Sequence, residues 1–120
     1  MINPRLVKLL VQIPCFNEQE TIARVINAIP RAVEGFERVE ILVVDDGSTD
    51  GTVDAACKAG ADHIVRHTGN RGLARAFLTG MDASLRLGAD VIVNTDADNQ
   101  YRASDIPDLV APILAGRADM

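Results

Sequence analysis

The chain has 120 residues, 48% hydrophobic and 24% charged, the balance of one ordinary globular domain: long enough for a real core, short for a complete two-substrate enzyme. A net charge of -5 with only 3% aromatic residues argues against the basic stripe and base-stacking platform of a nucleic-acid binder. No stretch reaches the roughly 18 apolar residues of a membrane span and no signal-peptide core is present, so Cys15 and Cys57 are expected as reduced thiols of a cytoplasmic protein.

Apolar runs alternate with helical patterns, which predicts an α/β fold: a Rossmann-like layered sheet, mainly parallel, with helices on both faces. The first strand is expected over residues 6–13, closed by Pro14. Asn17 is expected to cap a helix, with Glu20 three residues on as in a capping box. Ile22, Val25, Ile26 and Ile29 fall at i, i+3, i+4 and i+7 and give that helix one buried face, which Pro30 ends. A second strand over 39–44 is almost wholly apolar and therefore buried on both sides. A short helix over 52–59 stops at Gly60, and residues 61–66 read as a third strand.

The next helix is expected over 72–87, with Leu73, Ala76, Phe77, Ser84 and Leu87 on one face and Gly88 as its stop. A fourth strand covers 91–95. Ser104 caps a last helix that carries Ile106, Leu109, Val110 and Ile113 and ends at Gly116, after which Ala118, Asp119 and Met120 read as the start of another strand.

Open parallel sheets bind ligands beyond the carboxyl ends of their strands. Every polar cluster in this chain falls there: residues 14–18 after the first strand, 45–50 after the second, 67–72 after the third and 96–100 after the fourth. Asp45 and Asp46 leave the second strand just before a turn rich in Gly, Ser and Thr, where a carboxylate can accept from a base N–H or from ribose hydroxyls. Asp50 reads instead as a helix cap. Asn17 and Glu18 serve either as cap and first-turn acid or as nucleotide contacts. Asn70 and Arg71 open the third helix, where free N–H groups and a guanidinium can meet a diphosphate. His63 reads as structural, and His67 at its strand's end as a weaker site candidate.

The fourth cluster is the most telling. Asp96, Asp98 and Gln100 alternate, so an extended backbone aims their oxygens toward one point. Two carboxylates about 4 Å apart repel by roughly 4 kcal/mol at an effective dielectric near 20, and a cation removes that cost. Oxygen donors of this kind suit Mg²⁺ or Mn²⁺, which complete their coordination with water and substrate phosphates. Tyr101 and Arg102 adjoin this cluster.

Together, residues 13–18, 43–52, 70–72 and 96–100 resemble the motifs of family-2 glycosyltransferases, most closely the polyprenyl-phosphate (dolichyl-phosphate mannose or glucose) synthase type. The resemblance covers nearly the whole chain, with four motifs in order. It implies a glycosyltransferase A fold and a nucleotide-diphospho-sugar donor (UDP-, GDP- or dTDP-linked). It also implies inverting, in-line attack by an acceptor oxygen that a lipid phosphate could supply. By similarity, Pro14, Phe16 and Glu18 line the nucleotide pocket, Asp45 or Asp46 contacts base or ribose, and Asp96, Asp98 and Gln100 hold the metal against the diphosphate. Asn99 and Tyr101 depart from the small residue and histidine of many relatives.

Relatives continue into an acceptor-binding half. Residues 1–120 are therefore expected to form the nucleotide-sugar-binding portion of a catalytic domain, incomplete at its C-terminal side and not expected to turn over alone. Other parts of a parent protein would supply any attachment to the cytoplasmic face of a membrane. No catalytic base is assigned.

Three other chemistries share parts of the pattern. A response-regulator receiver has a similar acidic pocket but needs a lysine on a later strand, and Lys8 and Lys58 both precede Asp96. A haloacid-dehalogenase-like phosphatase places Thr or Val after its second aspartate, where this chain has Asn99. A sugar-phosphate nucleotidyltransferase would need a glycine-rich loop where residues 14–18 stand.

Overall fold

The computed structural model describes residues 6–97 and 106–111. The elements follow in the order β1 (Leu6–Cys15), α1 (Ile22–Ala28), β2 (Phe36–Asp45), α2 (Thr52–Ala59), β3 (His63–Arg66), α3 (Leu73–Arg86) and β4 (Val91–Asn94). Residues 106–111 are also helical. The strands form one sheet in the order β3-β2-β1-β4, and every pairing is parallel. Strand order thus runs outward from β1 in one direction and then returns to its other side, which places the switch between β1 and β4.

Alternation along the strands divides the core. Leu9, Val11 and Ile13 of β1 and Ile41 and Val43 of β2 pack on one face with Ile22, Val25 and Ile26 of α1, Ala56 of α2, and Ile106 and Val110. Leu10, Leu42 and Val44 point the other way, against Ala76 of α3. Helices cover both faces, as the pattern predicts. Each large aliphatic side chain buried in this way contributes about 1.5–3 kcal/mol relative to exposure.

The boundaries shift where pairing outlasts local signals. β1 runs through Pro14 to Cys15, because the parallel bonds to β2 continue to the Cys15–Asp45 pair. β2 likewise starts at Phe36 rather than at 39, paired with Leu6. β3 begins at His63, and Asp62, exposed, accepts the Ile41 N–H at 2.7 Å. Two expectations need correction. Asn17 does not cap α1: it sits in the left-handed region at φ 51°, residues 18–21 form a turn, and Thr21 precedes the helix. Leu73 and Phe77 do not face the sheet; they are 55% and 38% exposed. The buried face of α3 keeps Ala76 and Ser84 of the expected set and adds Gly80, small residues that bring the helix axis close to β1.

That close approach surrounds a buried amide. Gln12, in the middle of β1, is fully buried; its Nε2 donates to Phe77 O at 3.2 Å and Asn94 Oδ1 at 3.0 Å, and its Oε1 accepts from Ser84 Oγ at 3.3 Å. A Cβ on Gly80 would lie 2.7 Å from Gln12 Oε1. The network ties α3, β1 and β4 in register near the switch point. His63 is structural, as expected: its Nε2 meets Glu40 Oε1 at 2.8 Å, beside the ion pair of Lys8 with Glu40.

Candidate functional site

Because β1 and β2 are paired to their ends, the loops that leave them run side by side. The Asn17 N–H donates to Ser48 Oγ at 2.8 Å, and Asn17 Oδ1 accepts the Thr49 N–H at 2.9 Å. The Glu18 N–H donates to Thr52 Oγ1 at 2.9 Å, and Gln19 Oε1 accepts the Gly51 N–H at 2.8 Å. Asparagine tolerates the left-handed conformation that this lacing needs at position 17. Pro14 is buried, Phe16 and Glu18 are half-buried and Asn17 is exposed, so this edge presents an apolar ring beside a carboxylate. Asp50 does not hold the N-cap position of α2, which is Gly51; it stands one residue earlier, where its Oδ1 accepts both the N–H and the hydroxyl of Thr52, and these bonds hold its carboxyl below the ordinary range.

The acidic pair at the end of β2 is turned inward. Asp45 is fully buried; its Oδ2 accepts the Ser48 N–H at 3.0 Å and faces Arg66 Nε at 3.5 Å. Asp46 is also fully buried and carries three bonds of 2.8 Å. Its Oδ1 faces His67 Nδ1 and accepts the Arg71 N–H, and its Oδ2 accepts the Gly72 N–H. Burial pushes the Asp46 carboxyl up, but the bonds from His67, Arg71 and Gly72 outweigh it and hold it below the usual carboxylate range.

The expectation that the N–H groups at the start of the third helix stand free is therefore corrected. A carboxylate of the chain itself occupies those of Arg71 and Gly72, for the same electrostatic reason that an anion would. The Arg71 side chain is exposed, with no hydrogen-bond or ion-pair partner among the described residues. Asn70 is exposed, its Oδ1 3.2 Å from the Gly72 N–H. Gly47, Ser48, Thr49, Arg66, His67 and Thr68 line an open cleft between the β2 and β3 loops.

On the other side of β1, the Thr95 N–H donates to Gln12 O at 3.0 Å, which fixes the point where β4 ends. Asp96 follows, half-buried, with no hydrogen-bond or ion-pair partner among the described residues. Thr95 Oγ1 is buried and has no partner among them either. Asp98, Asn99, Gln100, Tyr101, Arg102 and Ser104 lie outside the described residues, as do Ile113, Gly116 and 118–120. With two of the three expected ligands outside that range, no group of three His, Cys, Asp or Glu converges as a metal site among the described residues. The part that is described is compatible with a hard cation: a carboxylate oxygen without a protein partner, beside an unsatisfied hydroxyl, at a strand's carboxyl end.

Sequence reasoning missed Gln12, Gly47, Ser48 and Thr79 as organisers of this edge. A lone amide inside the run Leu9, Leu10, Val11, Gln12, Ile13 was the available signal, since a buried polar group needs partners. Cys15, next to Asp45, has no thiolate character: burial, then the nearby Asp45, pushes its thiol up to about 12. Cys57 is exposed. Native protein at pH 8 is expected to take one equivalent of iodoacetamide, at Cys57, and two once unfolded. Cys15 stays protonated, and its burial stabilising, below the ordinary thiol value of about 9, and that contribution is lost as pH rises toward 12. Peptide mapping of the label checks this, and native alkylation of Cys15 at pH 8 would contradict it.

Among relatives, the chain is 38% identical to the polyprenol monophosphomannose synthase of Mycolicibacterium smegmatis, over 89% of this chain and 41% of that protein. It is 34% identical to the dolichol-phosphate mannosyltransferase of Pyrococcus furiosus, over 92% of this chain and 31% of that protein. The fold is similar to the crystal structure of glucosyl-3-phosphoglycerate synthase from Mycobacterium tuberculosis in complex with Mn²⁺, UDP and glucosyl-3-phosphoglycerate. That match has a TM-score of 0.73 at 29% identity and covers 90% of this chain and 40% of that one. The chain spans less than half the length of these relatives. No described helix is long and apolar enough to cross a membrane. The family described as Glycosyl transferase family 2 matches residues 10–120, and the chain belongs to that family.

Proposed function

We propose that residues 1–120 are the nucleotide-sugar-binding portion of a metal-dependent, inverting glycosyltransferase. The donor is a nucleotide-diphospho-sugar and the acceptor a polyprenyl phosphate, the substrate class named in the mycobacterial and archaeal relatives. The observation that carries this reading is the gathering of four loops at the carboxyl edge of the sheet, on both sides of the β1–β4 switch. Pro14, Phe16, Asn17 and Glu18 would line the nucleotide on the β1 side. Asp45 and Asp46 would hold the loops against which base and ribose rest, and Asn70 and Arg71 would meet the diphosphate.

Asp96, Asp98 and Gln100 would hold Mg²⁺ or Mn²⁺, which supplies Lewis-acid stabilisation of the leaving diphosphate. The Mn²⁺ and UDP in the similar mycobacterial structure support that assignment. The site would work in the cytoplasm, at the membrane face that presents the lipid phosphate.

Thermal unfolding with UDP, GDP, dTDP and their sugars, each with and without Mn²⁺, tests this. A nucleotide at about 100 times its dissociation constant is expected to add about 2.7 kcal/mol, a rise of several degrees. The rise should require the metal and disappear in Asp98→Ala. A folded chain that no nucleotide stabilises, or one stabilised equally without metal, would overturn the proposal.

A further inference from the structure

We infer that Asp46, His67 and Thr79 form a strut that positions Arg71 against the donor diphosphate, with His67 as the positioning residue. This rests on the donor-binding reading above. Asp46 is fully buried and both its oxygens already have partners, so it reaches no ligand without giving up bonds. A carboxylate only accepts, so the proton in the 2.8 Å contact belongs to His67 Nδ1. The opposite ring nitrogen, Nε2, lies 2.9 Å from Thr79 Oγ1, about two turns into α3. The imidazole therefore spans from the body of α3 to the carboxylate that grips the backbone at Arg71 and Gly72.

Two further features hold the same loop. A Cβ on Gly47 would lie 2.6 Å from the Gly69 carbonyl carbon, so the β2 turn and the 69–72 backbone are in direct contact. Gly72 takes φ 94°, a conformation that directs the chain into α3. The loop is thus pinned from β2, β3 and α3, and what leaves it unpinned is the Arg71 guanidinium, exposed and without a partner among the described residues. A guanidinium on a preordered stem gives up less conformational freedom when it forks onto a diphosphate. In this arrangement the buried aspartate and the half-buried histidine act on the ligand only through Arg71.

The test is calorimetric titration of the 120-residue chain with UDP and with uridine, both in Mn²⁺. His67→Ala is expected to weaken UDP about tenfold, the loss typical of one hydrogen bond to a charged group, while leaving uridine affinity unchanged. Adding His67→Ala to Arg71→Ala should cost nothing beyond Arg71→Ala alone. His67→Asn, whose amide N–H can stand where Nδ1–H does, should recover most of the loss. If His67→Ala does not fold, Thr79→Val serves instead, with about a threefold UDP loss expected from removing one neutral bond. Additive losses in the double variant, or equal losses for uridine and UDP, overturn the inference while leaving the donor reading intact. A wild-type chain that binds no nucleotide overturns both.

Discussion

Gly47→Ala is expected to destabilise the fold by about 3 kcal/mol, a large share of the 5–15 kcal/mol that holds a domain of this kind together. Two costs combine. Gly47 sits at φ 80°, a region that costs an L-residue roughly 1–2 kcal/mol. The added methyl would also lie 2.6 Å from Gly69 C, 2.8 Å from Asn70 N and 2.9 Å from Gly69 Cα, all backbone atoms that cannot rotate away. The relief open to the chain is to push the 69–72 loop outward, which strains the bonds from Arg71 and Gly72 to Asp46. UDP binding should therefore fall further than stability alone explains. Urea unfolding with unchanged slope, followed by calorimetry under fully folded conditions, separates the two effects. A midpoint within 1 kcal/mol of wild type would mean that the turn and the loop are not in contact in solution.

Gln12→Ala should cost about 3 kcal/mol for a different reason. The substitution empties a fully buried site and removes the partner of the Ser84 hydroxyl, itself fully buried. It also frees Asn94 Oδ1 at the end of β4, so the strand that leads into Asp96 loses its side-chain tie to β1. The control is Gln12→Leu combined with Ser84→Ala. Removing both members of a buried pair while keeping volume is nearly neutral, so the double variant should regain most of the stability lost in Gln12→Ala. Chemical denaturation of the three proteins decides it, and equal losses in Gln12→Ala and the volume-keeping double variant would mean that the hydrogen bonds themselves, rather than the filling of the site, hold α3 to the sheet.

Much of the layered fold was legible because its signals are local and periodic. The i, i+3, i+4, i+7 spacing of Ile22, Val25, Ile26 and Ile29 returns as a buried face, and the apolar run of β2 returns as the strand covered on both sides. On α3 the expected Ala76 and Ser84 are buried, while Leu73 and Phe77 were misjudged for a physical reason: they have the period of a core face, but Gly80 lets the narrower side of the helix approach the sheet. Asn17 was misjudged because an amide before a helical pattern fits an N-cap equally well, and its actual partners, Ser48 and Thr49, lie about thirty residues on in sequence.

By itself the sequence determined the alternation of strands and helices, the place of every polar cluster at a strand's carboxyl end, and the oxygen-rich Asp96, Asp98, Gln100 spacing, since these follow from periodicity and side-chain chemistry. Only the tertiary structure decided that the order β3-β2-β1-β4 sets the switch beside β1. It alone turned Asp45 and Asp46 inward, and it put His67 between Asp46 and Thr79. Those outcomes depend on which strands become neighbours and on how closely α3 approaches them. They come from contacts between residues far apart in the chain, which no local pattern encodes.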